Sequence, residues 1–253
     1  MRRCSVRRFE GRTVLVTGAT SGIGLATARR LAQEGAAVIC SARTKDRLDQ
    51  VVSELPGDGH MSLAFDAARE EDVTAAGTTL KNANRVLDAA VMCAGQHFLR
   101  PLQLSKATHF QELLTENVLS AILCTKMALR LAAKEGASIV WLSSAAALIG
   151  NAGETAYAAS KGALISACRS MATELASRRI RVNAIAPGVV ETPMSEQWLN
   201  QLAPEQRESI RARHLLGFGS AEDVAAAIAF LVSDDSRWIT GTCLAIDGGL
   251  TCH

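Results

Sequence analysis

The pattern that most constrains this chain is an alternation of short apolar runs with longer amphipathic ones. Residues 13–17, 37–41, 62–65, 87–92, 138–143, 181–186 and 243–246 are near-continuous apolar stretches. Strands look like this when both faces of a parallel sheet are covered, whereas a half-solvated strand alternates. Helical periodicity fills the gaps, at 23–33, 45–54, 70–82, 109–134, 155–177 and 221–232. The repeated β-then-α order predicts an α/β protein with a doubly wound parallel sheet and helices on both faces. Right-handed crossovers then leave few topologies open.

The 253 residues contain no linker, low-complexity tract or solenoid repeat, so one domain over 9–253 is the economical expectation. Residues 1–8 read as a flexible basic tail without the apolar segment of a signal peptide. The least regular stretch, 189–219, carries Pro193, Pro204, Gly217 and Gly219 and a helix-like piece at 205–213. It follows the carboxyl end of a strand, where open α/β sheets bind ligands, and is expected to act as a lid. No apolar run is long enough to span a membrane. A net charge of +2 argues against a nucleic-acid binder. The seven cysteines have no C-x-x-C pair and the five histidines no metal-ligand spacing. A reducing, cytoplasmic setting without metal is expected.

Chemistry enters at the first strand, which runs into Gly18-Ala19-Thr20-Ser21-Gly22-Ile23-Gly24 and then directly into a helix. Glycines there let the backbone turn sharply and approach a pyrophosphate, and the open N–H groups of the helix start favour an anion. The second strand ends Cys40-Ser41-Ala42-Arg43, with no carboxylate to accept from ribose hydroxyls. The planar fork of Arg43 suits a 2′-phosphate. NADP(H) is therefore the expected cofactor, with NAD(H) the alternative.

Tyr157 is the only tyrosine. Lys161 lies one helical turn on, and Ser144 thirteen residues back. A cation held about 5 Å from a phenol, at an effective dielectric of about 20, favours phenolate by about 3 kcal/mol. That is about two pKa units, enough to bring the phenol toward a working acid-base range.

With T-G-x-x-x-G-I-G at the amino end and Ser144, Tyr157 and Lys161 following, the chain resembles the short-chain dehydrogenase/reductase family from about residue 9 to 250. The resemblance implies a Rossmann-like fold with a seven-stranded parallel sheet. It implies that Tyr157 moves the proton in ketone–alcohol interconversion and that Lys161 holds the nicotinamide ribose. Ser144 would bind the substrate oxygen, and Asn117 would position a water linking Lys161 to solvent. Asp66, beside Ala67, would accept from the adenine amino group, unless it merely caps the next helix. Ala94 and Gly95 would keep the adenosine ribose wall open, and Pro187, Gly188, Val190 and Thr192 would border the nicotinamide. Met92-Cys93 replaces the family's Asn-Asn, so the support of that strand end must come from elsewhere. Cys93 itself is expected to pack as a buried thiol.

The substrate is not readable at this level. Gln96, His97, 145–148, Asn151, Val189, Met194, Trp198 and Leu202 are expected to wall a mostly apolar pocket. His97 is either a surface-loop histidine or a substrate contact. A 3-oxoacyl thioester, sugar, polyol or small ketone would fit such a wall. A non-catalytic dinucleotide-binding sensor or scaffold is the rival, weakened by the intact Asn117, Ser144, Tyr157 and Lys161. Small residues along 109–134 and 155–177 predict helix faces that pack between copies in a homotetramer, or failing that a dimer.

Overall fold

The computed structural model of the chain describes residues 7–252. Its elements run β1 (Thr13–Thr17), α1 (Gly22–Gln33), β2 (Ala37–Ala42), α2 (Lys45–Glu54), β3 (Met61–Ala64), α3 (Glu70–Asn82) and β4 (Ala89–Met92). The second half runs α4 (Ala107–Leu113), α5 (Ser120–Arg130), β5 (Ala137–Leu142), α6 (Thr155–Leu175) and β6 (Ile180–Pro187). There follow β7 (Val190–Glu191), α7 (Pro193–Leu199), α8 (Pro204–Ala212), β8 (Gly219–Ser220), α9 (Ala221–Val232) and β9 (Cys243–Ile246).

Seven strands form one sheet in the order β3-β2-β1-β4-β5-β6-β9, and every neighbouring pair is parallel. The period of two decides the packing. In β1, Val14 and Val16 join Leu31, Val38 and Ile228 in the layer under α1 and α9, while Leu15 faces the opposite layer with Ile139, Trp141 and Leu164. All of these are essentially inaccessible. Each such aliphatic side chain, fully buried, stabilises the fold by about 1.5–3 kcal/mol. Trp141 also satisfies its one donor inside the core, its Nε1–H donating to Thr125 Oγ1 at 2.9 Å.

The strand order reverses between β1 and β4. Thr17 pairs with Ser41 of β2 on one side and Met92 of β4 on the other, so the strands end level there. A crevice at that reversal is where doubly wound sheets bind ligands.

Three expectations are corrected. The helix expected at 109–134 is broken into α4, a π-helical turn (Leu114–Leu119) and α5, which stops at Arg130. Gly136, at φ +119, turns the chain into β5. Arg8, expected in a flexible tail over 1–8, is instead held by Glu34 through Nε (2.6 Å) and Nη2 (3.0 Å). Residues 1–6 lie outside the described residues. β4 starts at Ala89, Leu87 making only an isolated bridge to Ala132. Among the described residues no helix is long and apolar enough to cross a membrane.

Candidate active site

A groove of about 310 Å³ opens at the carboxyl ends of β1, β2 and β4. Its floor is the glycine loop. Gly18 has φ +66, and a Cβ on it would meet Ala94 N at 3.0 Å. A Cβ on Gly24 would lie 2.2 Å from Gly18 O, and one on Gly22, at φ +50, 3.2 Å from Thr192 Cγ2. Ser21 starts α1 in an extended conformation, and its hydroxyl makes no capping bond. The first N–H groups of α1, including those of Ile23 and Gly24, have no intrahelical acceptor, and these residues line the groove. These are the requirements for a backbone cradle around a diphosphate.

Around the groove, Arg43 is exposed at the mouth and makes no hydrogen bond or ion pair to the described residues. Asp66 and Ala67 form part of the wall. Asp66 Oδ1 accepts from Ala68 N at 3.0 Å, a turn before α3 rather than a cap on it, since α3 starts from Arg69. The support that Met92-Cys93 cannot give to the end of β4 comes from Thr17, whose Oγ1 accepts from both Cys93 N and Ala94 N at 3.1 Å. Sequence reading missed this role. Burial pushes the Cys93 thiol up to about 12, as expected of an inert packing residue.

The groove joins a second cavity of about 160 Å³, bounded by Ser144, Tyr157 and Lys161 together with Pro187, Gly188, Val190 and Thr192. Tyr157 and Lys161 share one face of α6, and Ser144 arrives from the end of β5. The Ser144 hydroxyl, which accepts from Ala146 N at 3.2 Å, lines the same cavity as the Tyr157 phenol and acts to lower its pKa. Ser143 Oγ donates to Lys161 O at 2.8 Å, tying β5 to the helix turn that carries both side chains.

Asn117 sits in the π-helical turn and is 1% exposed. Its Oδ1 accepts from Gln96 N at 2.7 Å, and its Nδ2 donates to Gln96 O and to Ser160 Oγ, each at 3.0 Å. Ser160 Oγ in turn donates to Tyr157 O at 2.8 Å. Asn117 therefore ties the loop after β4 to the tyrosine's own helical turn. The π-helical geometry marks the site, as it often does at functional positions.

The electrostatics reverse one expectation. Burial pushes the Tyr157 phenol up to about 12, the Ser144 hydroxyl works against this, and the Glu154 carboxylate adds to it. Lys161 does not pull the phenol down. Its ammonium is 5.8 Å from the ring centroid and donates to Leu142 O at 2.8 Å. Burial also weakens it as a cation, lowering its pKa from 10.5 to about 8. The folded pKa is depressed, so the stability associated with this lysine is present above pH 10.5 and lost as pH falls through 8. At neutral pH the loss is about 3 kcal/mol. Lys161→Met removes it but strands Leu142 O, at about 1 kcal/mol. The variant is expected to melt several degrees higher than the parent at pH 7, with the gain shrinking toward zero near pH 10. Calorimetry at both pH values checks this, and an unchanged or lower melting temperature at pH 7 contradicts it.

His97 is not a surface-loop residue. Its side chain is 9% exposed, and its ring stands edge-on to Tyr157 with centroids 4.5 Å apart. Its Nε2–H donates to Glu154 Oε1 at 3.3 Å. Gln96, Ala145, Ala146, Asn151, Val189, Met194 and Trp198 line the cavity as expected, whereas Ala147, Leu148 and Leu202 do not. Sequence reading missed Glu154, which makes the wall beside Tyr157 polar. It also missed His214, 3% exposed, whose Nε2 accepts from Val189 N at 3.1 Å while Nδ1–H donates to Ile210 O at 2.9 Å. That ring joins the end of α8 to the loop after β6.

The family model described as Enoyl-(Acyl carrier protein) reductase matches residues 18–251. A glucose 1-dehydrogenase of Gluconobacter oxydans is 37% identical over 97% of this chain and 94% of its own length. A 3-oxoacyl-[acyl-carrier-protein] reductase of Thermotoga maritima is 39% identical over 96% and 99%. A cyclopentanol dehydrogenase of Comamonas testosteroni is 35% identical over 97% and 99%. Among solved structures, a putative gluconate dehydrogenase from Agrobacterium tumefaciens superposes with a TM-score of 0.91 at 28% identity, over 98% of this chain and 99% of that one. With the fold, the glycine cradle and these relatives in agreement, the chain belongs to the short-chain dehydrogenase/reductase family, oxidoreductases that bind a nicotinamide dinucleotide.

Proposed function

We propose that the protein is an NADP(H)-dependent oxidoreductase that interconverts a ketone and a secondary alcohol. The observation that carries this reading is that Ser144, Tyr157 and Lys161 line one cavity continuous with the glycine-floored groove. The groove fits a dinucleotide because Gly18, Gly22 and Gly24 in its floor bring backbone without side chains to its surface, and the close packing at each leaves little room for a Cβ. When bound, the dinucleotide supplies or accepts the hydride. Tyr157 gives a proton to the carbonyl oxygen in reduction and takes it back in oxidation, and Ser144 hydrogen-bonds that oxygen as charge grows on it. Lys161 holds the ribose, and Asn117 keeps the strand end and the tyrosine turn in register. Asp66 faces the adenine. The segment 189–219, fastened through His214, is the lid of a single domain.

The choice of NADP(H) rests on Arg43 and on the absence of a carboxylate at the end of β2. Arg43→Ala is expected to weaken NADPH binding about tenfold, near 1.4 kcal/mol, and to leave NADH binding nearly unchanged. Fluorescence titration with each reduced dinucleotide measures it, and equal losses for both would overturn the assignment. The relatives' names span a sugar, an acyl thioester and a cyclic alcohol, so they support the CH–OH/C=O chemistry and leave the substrate open. Reduction of a ketone panel with NADPH tests the reaction class. Tight dinucleotide binding with no turnover of any carbonyl would favour the sensor reading.

For assembly, a homotetramer is the proposal and a dimer the fallback. A Cβ on Gly162 of α6 would enter open space, Ala159 beside it is exposed, and Leu114 and Leu119 next to α5 are 42% and 43% exposed. Light scattering should give four times the chain mass, and Gly162→Leu should lower it. A monomer from the parent chain would refute the packing of these faces.

A further inference from the structure

The polar wall beside Tyr157 goes further, on the premise that the oxidoreductase reading holds. Glu154 is 14% exposed in its side chain, and Asn151 Nδ2 donates to its Oε2 at 2.8 Å. Burial works to raise its pKa, yet the hydrogen bonds from His97 and Asn151 hold it below the ordinary carboxylate value. The group therefore faces the cavity as an anion. A carboxylate has about four lone-pair sites. One bond from His97 and one from Asn151 leave it able to accept more. His97, engaged with Glu154 through Nε2, has its Nδ1 unspent, with no hydrogen bond to the described residues. Unspent hydrogen-bonding capacity on Glu154 and on the His97 ring, which stands edge-on to the Tyr157 ring with centroids 4.5 Å apart, thus lines the same cavity as Tyr157.

We propose that Glu154, His97 and Asn151 form a subsite for substrate hydroxyl groups, and that the substrate is a neutral polyol or the hydroxylated ketone derived from it. Each hydroxyl brings a donor, which is what the wall lacks. An apolar alcohol would leave both groups part-buried and short of a partner, and sites built this way reject analogues that lack the hydroxyl. An anionic substrate group would meet the Glu154 charge. The cation at this end of the network is Arg213, and its Nη1 is engaged at the rim by Asn151 Oδ1 at 3.3 Å. In the oxidative direction one carbinol C–H would be lost as hydride, which the bound dinucleotide would accept, and its O–H proton would pass to Tyr157 in the phenolate form, giving a ketone and the neutral phenol. The neighbouring hydroxyls stay intact and donate to Glu154 and His97.

Three five-carbon probes separate the possibilities with dinucleotide saturating: xylitol, cyclopentanol and the anion xylonate. The expected kcat/KM for xylitol exceeds that for cyclopentanol by about tenfold or more. In Glu154→Met and in His97→Phe that ratio should fall about tenfold; because it is a ratio, effects on Tyr157 shared by both substrates cancel. A ratio near one in the parent, a ratio untouched by both substitutions, or a preference for xylonate overturns the hydroxyl subsite while leaving the oxidoreductase intact. If no alcohol turns over, the oxidoreductase reading fails, and binding still decides the subsite. Trp198 lies 5.9 Å from His97, so its emission, assigned with Trp198→Phe, reports ligand entry. Saturable quenching by xylitol that Glu154→Met weakens about tenfold supports the subsite, and no response, or the same response in the variant, overturns it.

Discussion

Tyr157→Phe is expected to lower turnover about a thousandfold, within the range that a positioned acid or base contributes, and to leave dinucleotide affinity nearly unchanged. The phenol oxygen is the only atom removed. The ring stays packed against His97, and the groove proposed for the dinucleotide is lined by the glycine loop and Arg43. The predicted split is therefore lost chemistry with retained binding. Turnover within tenfold of the parent would end the assignment of Tyr157 as the proton-transfer group. Because this is the chain's only tyrosine, its ionisation can also be followed directly by phenolate absorbance. Burial first, with the Glu154 charge adding to it, puts the group at about 12 rather than 10. The protein without added dinucleotide should thus show almost no phenolate at pH 10, where an ordinary tyrosine is half ionised. The folded value is raised, so the neutral phenol contributes stability that is full below pH 10 and lost as pH rises toward 12. At neutral pH the residue is held as an acid, the form that reduction of a ketone needs.

That result would also mark where sequence reading stops. The five inner strands were legible because each is covered on both faces, so burial alone dictates an unbroken apolar run; the edge strands β3 and β9 are less buried and were legible from their place in the β-then-α alternation. The glycine loop was legible because only a chain without side chains can pass between Gly18 O and the start of α1. Tyr157 and Lys161 were correctly placed on one helix face, since spacing fixes that. Spacing does not fix where an ammonium points, and Lys161 turns to Leu142 O, a backbone atom nineteen positions earlier. The sign of the tyrosine shift follows from burial, which that ammonium does not offset. The His97–Glu154 pair spans fifty-seven positions and has no local pattern at all. The break in the helix at 114–119 is equally tertiary, because Asn117 is drawn to the Gln96 backbone by a loop that helical periodicity does not register.

The glycine loop carries the second large effect. Gly24→Ala is expected to weaken dinucleotide binding about a hundredfold, near 2.7 kcal/mol, and to lower the melting temperature. The added methyl would lie 2.2 Å from Gly18 O and 2.8 Å from Gly18 C, both backbone atoms. No flexible side chain can swing aside, so either α1 backs away from β1 or the loop moves. The loop has little room, since Gly18 at φ +66 is already packed on the Cys93–Ala94 backbone, which Thr17 Oγ1 holds from the other side. Moving α1 disturbs the layer it shares with α9, where Ala28 and Leu31 are fully buried. Overpacking of this kind costs about 1–3 kcal/mol in stability. Either displacement also carries the first N–H groups of α1 away from the diphosphate position, so affinity and stability should fall together. Calorimetric titration with NADPH and thermal unfolding on the same sample measure both, and parent-like affinity in Gly24→Ala would mean that the diphosphate is held somewhere other than this loop.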